Sequence, residues 1–288
     1  MSRPDFLIIG AQKCGTTWLW EVIKQHPGVA VGKEKEIYYF SASNNYRKGR
    51  EWYEAHFRKL DTRKLLGEAS TDYFYDRVLI NNLRVDYSFP PIPELVKTEL
   101  PDAKILVVLR DPVKRAISSY YHHLQYRRFP PNSGIVSAAR KHPSLRIIER
   151  GYYARYMALW RQSFQKEQMH CLLFEEDILK DPQKTSREVY AFLGLDSNFE
   201  PKDLGKSKNK SWGWSHLLLN YYLGPLYGYF YRGTSKLGLA GLLGKLDKIK
   251  PPKFKLDEIE YLRSLYFPEK QSLEALLGRD LSCWHYSD

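Results

Sequence analysis

An α/β fold, with a central parallel sheet flanked by helices in three layers, is predicted by three observations on the 288-residue chain. Short apolar runs rich in β-branched residues alternate with helical patterns along its length. The clearest run, Lys104-Ile-Leu-Val-Val-Leu109, is continuously apolar, as a strand covered on both faces must be. The first run, Phe6-Leu-Ile-Ile9, passes through a glycine loop directly into a helical pattern. With 43% hydrophobic and 27% charged residues, the composition excludes a disordered, collagen-like or coiled-coil chain.

The elements follow in order. A strand over 6–9 leads to a helix over 15–26, where Trp18, Leu19, Val22, Ile23 and His26 recur at spacings of three and four and make one buried stripe. A second strand over 64–67 runs into Glu68-Ala-Ser-Thr-Asp-Tyr-Phe74. After the strand over 104–109, Asp111 is placed to cap a helix and Pro112 to occupy its first turn. An aromatic-rich helix over 151–164, a strand over 170–174 and a helix over 182–193 closed by Gly194 complete the regular part. A lysine-rich loop spans 202–211. Residues 213–255, rich in Trp, Tyr, Gly and Leu, read as a helical insertion or lid within one domain over 1–288, and a last amphipathic helix covers 257–277. The aromatics Tyr152, Tyr153, Tyr156 and Trp160 are expected mostly to fill the core.

The net charge of +12 suits an anionic ligand, a polyanion or a membrane surface. Cys14, Cys171 and Cys283 are widely separated and form no metal-binding or disulfide pattern, so a reducing, cytoplasmic setting and no metal site are expected. The N-terminal apolar run is too short for a signal-peptide core. The stretch 217–231 is interrupted by Asn220, Gly224, Pro225 and Gly228 and falls short of the ~20 residues that span a bilayer. It reads as a packed or interfacial helix, which leaves a peripheral membrane contact open.

The chemistry concentrates in Gly10-Ala-Gln-Lys-Cys-Gly-Thr-Thr17, between the first strand and the first helix. Such a junction aims backbone N–H groups and the positive end of the helix dipole at an anion, and makes the fold P-loop-like. Its glycines have the G-x-x-x-x-G spacing of nucleotide loops, but Thr16-Thr17 follows where a kinase has Lys-Ser/Thr, and the lysine sits inside the loop as Lys13. The strand end that would carry a magnesium-binding acid carries Arg110 instead. Both features point to an anion held by side-chain charge without Mg²⁺.

Phe6-Leu-Ile-Ile-Gly-Ala-Gln-Lys-Cys-Gly-Thr-Thr-Trp18 resembles the 5′-phosphosulfate loop of sulfotransferases that use 3′-phosphoadenosine 5′-phosphosulfate (PAPS). Lys104-Ile-Leu-Val-Val-Leu-Arg-Asp-Pro-Val-Lys-Arg-Ala-Ile-Ser-Ser-Tyr120 resembles their 3′-phosphate motif. The likeness spans about residues 4–212, with a weaker echo over 273–284, and is nearest to the glycosaminoglycan and bacterial branch. It implies that Lys13 binds the 5′-phosphosulfate and acts in catalysis, that Cys14, Gly15, Thr16, Thr17 and Trp18 wrap the phosphate, and that Arg110 and Ser118 grip the 3′-phosphate. Arg115 stands three residues before Ser118, where it either joins that grip or makes a surface ion pair. Lys208, Asn209 and Lys210 stand where the branch has a cofactor-closing loop. The product would be adenosine 3′,5′-bisphosphate (PAP).

A transfer to a hydroxyl needs a base within hydrogen-bond reach of its proton. In Lys33-Glu-Lys-Glu-Ile-Tyr-Tyr-Phe40 the resemblance puts the catalytic glutamate at Glu36, with Glu34 its nearest competitor. His122, one turn beyond Ser118, is the alternative base and is expected to face the cleft, unlike His123. Tyr38 and Ala69 replace a histidine and a lysine that touch the sugar polymer in that branch, so heparan-like acceptors are not implied. Glu68, Ser70, Thr71 and Tyr73 are expected to line the acceptor side, with packing in the core the alternative for Tyr73. A carbohydrate, a lipid or polyketide hydroxyl, a peptide tyrosine or another small molecule would each suit as the acceptor. A P-loop kinase of small metabolites and a non-catalytic polyanion binder are the alternatives; neither accounts for Lys13 inside the loop and Arg110 at the strand end, and nucleic acid is not an expected partner.

Overall fold

The computed structural model describes residues 3–32, 35–80, 84–205, 212–227 and 253–284. Five strands, β1 (Phe6–Gly10), β2 (Val29–Val31), β3 (Leu65–Ala69), β6 (Lys104–Leu109) and β7 (Met169–Leu173), form one sheet in the order β2-β3-β1-β6-β7. Every pairing is parallel, with Ile8 opposite Ala69 on one side and Leu106 on the other. All five residues of β1 are buried, because helices cover both faces. β3 approaches β1 closely at Gly67, where a Cβ would stand 2.0 Å from the Phe6 ring. The strands β4 (Leu79–Ile80) and β5 (Arg84–Val85) make a separate antiparallel pair.

The chain leaves β1 through α1 (Thr16–Ile23) toward β2 on one side of the sheet, and leaves β3 through α4 (Ile92–Glu99) toward β6 on the other. Right-handed crossovers therefore put α1 and α4 on opposite faces. Accordingly α1 packs on α8 (Pro182–Leu193), while α4 packs on α7 (Tyr153–Ser163), which in turn contacts α11 (Lys270–Leu277). The direction of winding changes between β1 and β6, and a crevice opens beyond their carboxyl ends, the usual place for a ligand in an open α/β sheet. A second apolar cluster forms beside the sheet from α5 (Pro112–Gln125), α6 (Ile135–Lys141), α9 (Trp214–Leu223) and α10 (Leu256–Tyr266), with Tyr120, Leu124, Ile135, Leu217 and Leu262 at its centre.

The parallel sheet and its flanking helices agree with the sequence reading, and the differences have local causes. β2 has three residues, too short for a periodic signal. The short helices α2 (Ser43–Tyr46) and α3 (Arg50–Ala55), together with α4 and α6, were not expected. The last helix is broken into α10 and α11 by a tight turn at Phe267-Pro268-Glu269, since Pro268 has no N–H to continue the ladder. The strand expected to reach Phe174 ends at Leu173, and Phe174–Leu179 winds into a wide π-type turn. Of the insertion expected over 213–255, residues 228–252 lie outside the described residues. No helix among the described residues is long and apolar enough to cross a membrane.

Candidate active site

Beyond the ends of β1 and β6 lies a cleft of about 600 Å³. Its first wall is the loop from β1 to α1. Ala11 N–H donates to the Val108 carbonyl (2.8 Å), and Gln12 N–H to the Tyr75 hydroxyl (3.3 Å), which moor the loop to β6 and to the core. Lys13 and Gly15 lie in the left-handed region, at φ 69° and 102°. A side chain at Gly15 would meet the Phe174 ring at 2.6 Å, so the loop closes only with glycine there. Gly15 leads into the first turn of α1, whose residues Thr16, Thr17 and Trp18 line the cleft, so the start of a helix is set at this wall. Burial and the neighbouring Arg110 pull the Lys13 ammonium below its usual range.

The second wall is the end of β6 and the start of α5. Arg110 lies over the Phe174 ring (4.9 Å to its centre), donates to the Lys13 carbonyl (3.5 Å) and stands 3.8 Å from Glu175. Glu175 also takes the Trp284 indole N–H (3.2 Å) and Asp111 N–H (3.3 Å), so the C-terminal segment braces this strand end. Asp111 caps α5 as expected, accepting from the amides of Val113 (2.8 Å) and Lys114 (3.1 Å). The capped helix presents Ser118 and His122 to the cleft, and His123 does not line it. Burial, followed by the charges of Lys13, Arg150 and Arg128, pulls the His122 imidazole down to about 4, which leaves it neutral at pH 7.

The third wall is the segment after β2. Glu36 N–H donates to the Ala69 carbonyl (2.8 Å) and Tyr38 N–H to Ser70 Oγ (3.1 Å), fastening this segment to the end of β3. Glu36 and Tyr38 both take positive φ, 68° and 56°, a conformation non-glycine residues hold only when their surroundings enforce it. The Glu36 carboxylate accepts from Thr71 N–H (2.9 Å) and Thr71 Oγ1 (3.2 Å) and lies 3.9 Å from Lys35 Nζ. Burial raises its pKa; Lys35 and the Thr71 bonds oppose this, and Asp72 adds to it. The Tyr38 phenol is likewise pushed far up by burial and by Glu36.

The cleft thus gathers Lys13, Gly15, Thr16, Thr17, Trp18, Glu36, Tyr38, Thr71, Arg110, Ser118 and His122. Other expected residues lie elsewhere. Cys14 is fully buried behind the loop, its Sγ 3.4 Å from the Tyr153 hydroxyl and its N–H spent on the Ala11 carbonyl, and burial lifts its thiol to about 11. Glu68, Ser70 and Tyr73 do not line the acceptor side. They lie beneath it, where Glu68 accepts hydrogen bonds from Ser70 (2.6 Å), Tyr73 (2.7 Å) and Tyr53. Arg115 neither joins Ser118 nor reaches the surface; it is wholly buried and donates to the Ile147 carbonyl. Tyr153, Tyr156 and Trp160 are core residues as expected. Glu34, Lys208, Asn209 and Lys210 lie outside the described residues.

Sequence reading missed Gln12, Lys35, Phe174, Ile178, Leu179, Pro182, Leu204 and Gly205 as lining residues. Phe174, Ile178 and Leu179 follow the carboxyl end of β7, and the rule that ligands sit beyond strand ends would have found them; Pro182 opens α8, and Leu204 and Gly205 lie in the segment after that helix. Trp18 donates its indole N–H to the Leu204 carbonyl (2.9 Å), which draws this last segment over the loop. Two buried polar atoms on the cleft residues, Gln12 Oε1 and Arg110 Nε, have no hydrogen-bond partner within the protein. Together with the start of α1 and the cations Lys13 and Arg110, they fit a ligand that carries phosphates and further polar groups. Among the described residues no three His, Cys, Asp or Glu side chains converge as a metal site.

Residues 3–209 match the sulfotransferase domain family. Over 126 residues, 43% of the chain, it is 38% identical to a membrane-associated sulfotransferase, kil1, of Dictyostelium discoideum. Over 98% of its length it is 27% identical to the bifunctional heparan sulfate N-deacetylase/N-sulfotransferase 4 of Mus musculus. The chain spans only 24% and 31% of those two proteins. The crystal structure of a sulfotransferase from Alicyclobacillus acidocaldarius shares the fold, with a TM-score of 0.67 and 24% identity, over 99% of each chain.

Proposed function

The chain belongs to the sulfotransferase domain family, and on that premise we propose that it moves the sulfuryl group of PAPS to an acceptor hydroxyl, with Glu36 as general base. The observation that carries this reading is the meeting of Lys13 and Glu36 in one cleft, a cation on the loop wall and a carboxylate on the wall fastened to β3. When bound, PAPS supplies the sulfuryl group and, in PAP, the leaving group. Lys13 and the first amides of α1 neutralise the charge that grows on the leaving 5′-phosphate. Arg110 and Ser118 hold the 3′-phosphate, and Gln12 and the Trp18 indole close the site around the donor.

Glu36 takes the proton of the acceptor hydroxyl as its oxygen attacks sulfur in line with the breaking sulfur–oxygen bond. Electrostatics favours it over His122. Burial strengthens a carboxylate as a base, whereas burial among Lys13, Arg150 and Arg128 weakens an imidazole. Charge neutralisation by Lys13 and Arg110 makes the reaction independent of Mg²⁺. The acceptor is a carbohydrate or a small-molecule hydroxyl; Tyr38 lines the cleft on the same wall as Glu36.

The test is transfer from ³⁵S-labelled PAPS across a panel of carbohydrate, lipid and phenolic hydroxyls. Glu36→Gln should lower turnover by about 10²-fold or more, the range for loss of a general base, and leave PAP binding intact. His122→Ala should stay within a few-fold of wild type. Full activity in Glu36→Gln, with loss in His122→Ala, would reverse the assignment of the base.

A further inference from the structure

We propose that Lys35 is a second catalytic cation, one that contacts the sulfuryl group itself between the donor loop and the base; this rests on the PAPS reading above. Three placements carry it. Lys35 Nζ donates to Thr17 Oγ1 on the phosphate loop (3.3 Å) and lies 3.9 Å from Glu36 Oε1, so one ammonium spans the two walls between which transfer takes place. Its side chain is about one-fifth exposed and lines the cleft, which sets it apart from a solvated surface lysine. The Glu36 N–H bond to the Ala69 carbonyl (2.8 Å) fastens the segment that carries Lys35 to the end of β3, which fixes where the ammonium is held.

In an in-line displacement the leaving oxygen is on the Lys13 side and the attacking oxygen on the Glu36 side. A cation joined to both flanks lies beside the equatorial sulfuryl oxygens, and there it stabilises the transferred group without blocking either axis. Burial lowers the ammonium's pKa, while Glu36 and Glu21 raise it. A lysine held this way loses hydration that an anionic oxygen can replace.

The distinguishing experiment compares PAPS with PAP, which differ only by the sulfuryl group, by calorimetry in excess chelator. Wild type should bind both. Lys35→Met should weaken PAPS about tenfold, as for a lost charge-assisted hydrogen bond, and leave PAP within twofold, which also certifies the fold. Lys35→Arg should recover most of the PAPS affinity. Equal weakening of both ligands would make Lys35 a mere prop for Thr17, and no change in either would remove it from the site; each overturns the inference alone. Wild type that binds neither ligand overturns the donor reading and this inference with it.

Discussion

At the scale of single residues, the site works by setting charges in partial burial against one another. Glu36 is lifted by burial and restrained by Lys35 and Thr71. A protonated Glu36 accepts no proton, so activity should rise as pH rises through its folded-state pKa, with the acid limb of kcat/KM above the ~4.3 of a free glutamate. Thr71→Val removes one restraining bond and should move that limb to higher pH; a limb that stays put or moves down would contradict the role given to Thr71. Beneath the cleft, Glu68 collects three hydroxyl donors in full burial. Glu68→Ala strands them and should cost about 3 kcal/mol or more of stability by urea unfolding, against about 1 kcal/mol for Tyr73→Phe, which removes a single bond. The expectation that Glu68 meets the acceptor erred, and Tyr73 took its packing alternative, because a strand-end motif gives no sign of which alternate side chains turn inward.

At the scale of elements, the loop from β1 to α1 and the α5 cap are what place the cations. Gly15→Ala combines a φ of 102° with a clash into Phe174, so PAP affinity should fall at least about tenfold while the far-ultraviolet spectrum stays that of the wild type. Asp111→Ala removes two capping bonds and should cost about 1 kcal/mol of stability, with weaker PAP binding because α5 carries Ser118. Unchanged PAP affinity in both variants would detach the loop and the cap from the donor site. These two elements were legible in the sequence because each is written in local chemistry: glycine where φ is positive, Asp-Pro where a helix begins. The Phe174–Leu179 turn was not, since it lacks a periodic signature and is fixed by tertiary partners, Arg279 on Asp177 (2.6 Å) and Trp284 on Glu175. Lys35 was legible as a residue but not as a lining group, because only its packing beside Thr17 separates it from the charges around it.

At the scale of the whole molecule, the change of winding between β1 and β6 opens one crevice to which the loop, the α5 start and the β3-anchored segment all contribute. The alternation of apolar runs made the parallel sheet readable. Strand order was not readable from the runs, because β2 is too short to register and pairing is settled by crossover handedness and packing. The net charge of +12 would add attraction for the multiply anionic donor proposed above, so the association rate of adenosine 3′,5′-bisphosphate should fall with rising ionic strength as screening sets in.

The central claim, that Lys13 and Arg110 take a doubly phosphorylated adenosine without a divalent ion, is tested most directly by titrating adenosine 3′,5′-bisphosphate into the protein in excess chelator while following heat and melting temperature. The account predicts saturable one-site binding, a rise in melting temperature equivalent to about 2.7 kcal/mol at a hundredfold excess over Kd, and loss of both in Lys13→Ala. Absence of heat and of any thermal shift, or binding that appears only when Mg²⁺ is restored, would contradict it.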